Sequence, residues 1–209
     1  MESRRSFLLK ATGIGAGISL ASRLPAQEPF DSLPAAAWKN ARQNGLVMIH
    51  RNTPGRLSWH TQIAADSEPG VPLLVSGQVL APDGRTPAAG VTVYAYNTDT
   101  QGYYGEHRAE YPPRIYGWMK TDSAGRFELR TIRPGRYPNM RVPAHVHFEL
   151  WGAGYPIQWA EAVQLAGDSY LTPEMLAKDA QLGDFRTVRQ VRRGCCDYQI
   201  RLRHQSNYR

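Results

Sequence analysis

From Leu73 onward, apolar and polar positions alternate in short runs, and each run stops at a cluster of Gly, Pro, Asn or Asp. Period-two runs bounded in this way predict half-buried strands. "LLVSGQVL" (73–80) alternates up to a turn at Pro82-Asp83-Gly84, and "GVTVYAYN" (90–97) follows. A turn at Asp122–Gly125 leads into a strand over Arg126–Ile132, which ends at Pro134-Gly135. "AHVHFELWG" (144–152), "WAEAVQL" (159–165) and "CDYQIRLR" (196–203) read as further strands. "GYYGEHRAEYPPRIYGW" (102–118) reads instead as a long irregular excursion, and loops of that length inside a domain tend to carry function. "TPEMLAKDAQ" (172–181) predicts a short helix, with Thr172 as N-cap, Pro173 in first position and Glu174 in the first turn. Six or seven short strands separated by turns predict an all-β fold, a β-sandwich of short antiparallel strands with long loops and one or two short helices.

Ahead of this domain (73–209) lie two segments of different texture. Residues 27–72 are polar and form an N-terminal extension, with one helix predicted in "LPAAAWKNARQ" (33–43), where Pro34 suits a helix start. Residues 1–26 read as an export leader with cleavage near Ala26. Arg4-Arg5 precede Phe7-Leu8-Leu9, then a short glycine-rich apolar stretch. "SRRSFLLK" resembles a bacterial twin-arginine signal, which implies a periplasmic or secreted protein exported already folded.

Composition narrows the picture. A chain of 209 residues, 42% of them hydrophobic, suits one domain with a sizeable core. No stretch approaches the roughly 20 consecutive apolar residues of a membrane span. The formal charge of +7 would fall to +4 on removal of residues 1–26, a weak attraction for anions. Arginines gather in "FRTVRQVRRG" (185–194), but no nucleic-acid-binding module accompanies them, and they read as a solvated face. Cys195 and Cys196 are adjacent, closer than an ordinary disulfide spans, and read as reduced or packed.

The chemistry concentrates in "RYPNMRVPAHVHFEL" (136–150). His145 and His147 are two of only six histidines, and on a strand their side chains share one face. That geometry suits a metal or a solvated strand face equally well. Three blocks tip the balance. "LLVSGQVLAPDGRTPAAGVTVYAYNTDTQGYYG", "KTDSAGRFELRTIRPGRYP" and "PAHVHF" together resemble, in order and spacing, the intradiol ring-cleavage dioxygenases, the family of catechol 1,2-dioxygenase and protocatechuate 3,4-dioxygenase. The resemblance runs from about Leu73 to Gly152.

That resemblance implies an Fe(III) cofactor held by Tyr104, Tyr137, His145 and His147. Tyr104 is taken over Tyr103 because the family's ligand is the second residue after the glycine, here Gly102. It also implies active-site loops at one edge of the sandwich. The substrates would be a catechol and O2, and ring opening between the hydroxylated carbons would yield a cis,cis-muconate-type diacid. Tyr137 would be a catalytic residue as well, as the ligand that leaves and takes a substrate proton. Phenolate is a hard anionic donor suited to Fe(III), and tyrosine ionises at neutral pH only beside such a charge.

One departure stands out. The family's arginine three residues before the first histidine is Val142 here, and Arg141 sits one position earlier. On a regular strand Arg141 would face away; an irregular loop before Pro143 would restore it as a catalytic candidate. Arg133 and Arg136 are alternative cations. The long N-terminal helical region typical of catechol 1,2-dioxygenases has no counterpart in the short segment before Leu73. The chain therefore looks more like a protocatechuate-type subunit or a stand-alone exported member, which leaves a homo-oligomer or a partner subunit open. A non-catalytic sandwich of transthyretin or carboxypeptidase-regulatory type would share the texture of residues 73–97.

Overall fold

Alternation decides which side of each strand is inside. In Arg126–Ile132 (β5) Phe127 and Leu129 are buried, and in Cys195–Arg201 (β10) Cys196, Tyr198 and Ile200 are. In His145–Gly152 (β6) Val146, Phe148 and Leu150 point into the same core. The computed structural model of the chain describes residues 53–105 and 113–204. The other strands are His60–Gln62 (β1), Pro72–Leu80 (β2), Thr92–Asn97 (β3), Ile115–Lys120 (β4), Tyr155–Trp159 (β7), Val163–Leu165 (β8) and Val188–Arg189 (β9).

They form two sheets, one in the order β1-β5-β2-β10 and one in the order β4-β3-β6-β8-β9, with β7 also paired to β6. The core between them draws on both, with Phe127, Phe148 and Tyr198 in ring contact across it. This is the expected β-sandwich. Strand direction needs a correction: β1 with β5, β10 with β2 and β8 with β9 run parallel. Parallel neighbours need long crossovers, and β10 reaches β2 only after the rest of the domain has been laid down.

Other differences have local causes. β4 lies within and beyond the stretch read as loop. Its alternation of Ile115, Gly117 and Met119 inward is hidden because one inward position is glycine. A Cβ on Gly117 would stand 2.6 Å from Ile63 Cγ2, so the glycine makes room for the chain just after β1. β1 belongs to the stretch read as an N-terminal extension, yet it pairs with β5 and is an edge strand of the sandwich. The single strand expected over 159–165 is split. β7 pairs with the end of β6, and β8 returns to its beginning, at His145 and Val146.

The helix Pro173–Ala180 (α1) forms as expected, with Met175 N donating to the Thr172 hydroxyl at 3.2 Å. Cys195 is exposed and Cys196 buried, as neighbours on opposite faces of a strand are, and both are unbridged. Burial pushes the Cys196 thiol up to about 11. No helix among the described residues is long and apolar enough to cross a membrane. The leader at 1–26 and the helix read at 33–43 lie outside the described residues.

Gly77 faces Phe127 across the β2–β5 pair, and a Cβ there would sit 2.0 Å from the phenyl ring. Gly77→Ala should displace that ring and cost about 1–3 kcal/mol, read as a lower midpoint in chemical unfolding.

Candidate metal centre

The six-stranded sheet has a second face. His145, His147, Glu149 and Trp151 alternate with the core residues of β6 and point away from the core. Beside them, Tyr94 and Tyr96 do the same on β3. Register places Tyr96 opposite His147, and the two rings stack at 4.6 Å and 14°. The sheet thus supplies a rigid base with both imidazoles at one end.

Two loops bring the phenols over it. Asp99 anchors the first, its carboxylate accepting from the Gln101 and Tyr103 amides at 2.9 and 3.0 Å. Gly135 N donates to Asp99 O at 2.7 Å, and the Thr98 hydroxyl donates to Gly135 O at 2.7 Å, which ties the first loop to the second. Behind them the buried pair Thr131–Asn97, at 2.7 Å, links β5 to β3.

Each tyrosine is preceded two residues earlier by a glycine, and the reason is the approach of the loops. Gly102 has φ +90°, and a Cβ on it would stand 1.9 Å from the Arg136 carbonyl oxygen. A Cβ on Gly135 would stand 2.5 Å from both Gly102 N and Thr100 O. Backbones in this contact leave no room for a side chain.

The four expected ligands come together. Tyr137 Oη lies 3.1 Å from His145 Nε2 and 3.2 Å from His147 Nε2. The two Nε2 atoms are 2.8 Å apart, and the Tyr104 and Tyr137 hydroxyls are in direct contact. His145 Nδ1 donates to the Pro143 carbonyl at 2.7 Å, which fixes the tautomer and leaves Nε2 with its lone pair facing the phenols.

Burial sets the charges of this group. Desolvation, then the neighbouring Tyr137, raise Tyr104 well above the usual phenol range; desolvation raises Tyr137 too. Desolvation lowers His145, and it lowers His147 to about 3, with the adjacent His145 adding to the effect. Two neutral imidazoles and two protonated phenols therefore share one small volume. Donor atoms bonded at about 2.1 Å and about 90° apart around one ion stand about 3 Å from each other, so the spacings among Tyr137, His145 and His147 suit one cation. No cluster of three or more His, Cys, Asp or Glu among the described residues is placed to hold a metal. The anionic donors available at this site are the phenols.

Arg141 is not part of this contact. Residues 133–144 form no strand, so the parity that would turn it away does not apply. Its guanidinium carbon lies 5.5 Å from the centre of the Tyr170 ring, while Arg136 sits over the same ring at 4.4 Å. Sequence reading also missed Tyr96, Asp99, Asp168 and Tyr170. The repeated Gly-x-Tyr was a visible signal for the loop contact; nothing marked Tyr96 or Tyr170 before strand register was known.

Known proteins resemble this chain in sequence and fold. The family model described as Dioxygenase matches residues 49–204. The chain is 30% identical over 110 residues to the protocatechuate 3,4-dioxygenase beta chain of Burkholderia cepacia, covering 47% of this chain and 46% of that protein. It is 29% identical over 151 residues to 6-chlorohydroxyquinol 1,2-dioxygenase of Cupriavidus pinatubonensis, covering 63% of this chain and 53% of that one. The chain thus spans about half the length of these two relatives. Among solved structures, the dioxygenase domain of a dioxygenase–carbohydrate-binding protein fusion from Streptomyces sp. SirexAA-E superposes with a TM-score of 0.54 at 26% identity. That match covers 71% of this chain and 90% of that domain.

Two outcomes follow from the site's packing. Gly102→Ala should push the tyrosine loops apart and cost about 1–3 kcal/mol, measured by chemical unfolding, with loss of any bound metal. Glu149 is buried beside Tyr94 and Trp159, and burial pushes its carboxyl up to about 8 from an ordinary 4.5. An acid raised on folding binds its proton more tightly folded than unfolded, so stability falls as pH rises from about 4.5 to about 8. Glu149→Gln should therefore raise the thermal midpoint of the metal-free protein at pH 9 and leave it nearly unchanged at pH 4.

Proposed function

We propose that this chain, which belongs to the intradiol ring-cleavage dioxygenase family, is an Fe(III)-dependent enzyme. It would open a catechol between its two hydroxylated carbons with O2. The observation that carries this reading is the convergence on the Tyr137 oxygen of the Tyr104 hydroxyl and two imidazole nitrogens that are themselves 2.8 Å apart. Tyr104, Tyr137, His145 and His147 are the proposed ligands. Bound there, ferric iron would supply the positive charge that ionises phenols and catechol hydroxyls at neutral pH, and the electron-accepting character that opens a catechol to attack by O2.

The chain's own residues divide the remaining work. Tyr104 is wedged, its ring against Tyr96 at 5.6 Å and Tyr137 at 5.7 Å, and it is suited to stay in place. Tyr137 lies on a loop whose next three residues are exposed, and its oxygen contacts all three other donors. It would be the phenol that moves aside and carries a substrate proton on Oη. The Pro143 carbonyl keeps His145 in one tautomer, and Tyr96 holds the His147 ring by stacking on it. Arg141 belongs to the rim of the site, and a cis,cis-muconate-type product is part of the same proposal. So is an exported, periplasmic or secreted location, which rests on Arg4-Arg5 and the apolar stretch behind them.

Purified protein should contain about one iron per chain and show a visible absorption band from iron-bound phenolate. The band should shift when a catechol is added, with O2 consumed and a ring-opened diacid formed. Tyr137→Phe should change the band and lower kcat by about 10²–10⁴-fold while leaving the unfolding midpoint close to wild type. A colourless protein that takes up no iron would overturn the proposal; a coloured one that opens no catechol would remove the activity and keep the ligands.

A further inference from the structure

The loop that carries Tyr137 and leads into His145 is long and poorly tied to itself. Between Arg136 and Ala144, its only internal backbone bond among the described residues is Met140 N to Tyr137 O, at 3.5 Å. Beyond its contact with the Tyr104 loop, it is held by one short turn, Asp168-Ser169-Tyr170, which follows β8 and emerges beside His145 because Gln164 pairs with His145.

That turn reaches the loop at three points. Near its start, Arg136 Nη1 donates to the Ser169 hydroxyl at 2.6 Å, lies 3.7 Å from Asp168 Oδ1, and sits over the Tyr170 ring. In the middle, Arg141 shares that ring. At the end, Ala144 N donates to Asp168 Oδ2 at 3.0 Å, one residue before His145. The turn is itself rigid. Asp168 Oδ1 accepts from Tyr170 N at 2.9 Å, and Thr172, two residues further on, caps α1. Two guanidinium groups on one ring would repel, but Asp168 offsets Arg136 and the ring face attracts both cations.

We propose that Asp168 and Tyr170 are positioning residues: their turn clasps the loop on both sides of Tyr137 and so sets the distance between Tyr137 and His145. This rests on the reading of those two side chains as ligands for its consequence at the metal, though not for its effect on the loop. Asp168 holds the histidine end. Tyr170, with Ser169, holds the tyrosine end, and Arg141 is kept at the rim of the site by the same ring.

Arg136 and Arg141 are also the trypsin sites of this loop, which gives a readout independent of iron. In the metal-free full chain, Tyr170→Leu should speed cleavage after Arg136 and Arg141 by about tenfold, with little change in the thermal midpoint. In the iron-loaded protein the same variant should shift the visible band and speed iron loss to a chelator. Tyr170→Phe, which keeps the ring, should restore both, and Asp168→Ala should loosen the loop as Tyr170→Leu does. If Tyr170→Leu matches wild type in cleavage and iron loss, or Tyr170→Phe is as impaired as Tyr170→Leu, the clasp is wrong. Faster cleavage in a protein that never takes up iron would support the clasp and overturn the ligand reading alone.

Discussion

The contact between Gly102 and the Arg136 carbonyl governs the site, because no other residue type lets two backbones come so close. Through it the loop bearing Tyr104 lies flush against the loop bearing Tyr137. The bonds of Gly135 to Asp99 and Thr98 then lock the pair. Neither tyrosine is brought to the other by its own side chain. The phenols meet because their backbones do, two residues upstream of each ring.

Once they meet, electrostatics keeps the group neutral. Burial penalises every charged form, so the phenols keep their protons and the imidazoles stay neutral. Four polar atoms that have given up much of their water have mainly one another as partners. A bound cation would replace two phenolic protons and reward the desolvation already incurred. The tertiary contacts that bring the four together are therefore stabilised elsewhere, by the core between the sheets and by the stack of Tyr96 on His147.

The sandwich divides these tasks between the faces of one sheet. Val146, Phe148 and Leu150 on β6 belong to the main core, while His145, His147 and Glu149 belong to the second face. A slip of one residue would exchange the two sets. The same strand thus anchors the fold and displays the site, and the short turn after β8 braces the loop that feeds it. The core and the candidate site are carried by alternate residues of a single segment.

Much of this was legible in the chain itself. Alternation over 73–80, 126–132, 144–152 and 196–203 marked strands, because burial of one sheet face imposes a period of two. Thr172 and Pro173 marked the helix through local capping, and the ordered blocks around Tyr104, Tyr137, His145 and His147 marked the four side chains that meet. What the chain could not disclose depends on register and on segments far apart in sequence. The parallel pairing of β10 with β2, the incorporation of His60–Gln62 into the sheet and the strand hidden behind Gly117 are of this kind. So are the stacking of Tyr96 on His147, the place of Arg141 over Tyr170, and the hold of Asp168 on Ala144. Local patterns encode which face of a strand is buried; only the closed tertiary structure decides which strand, ring or carboxylate lies opposite it.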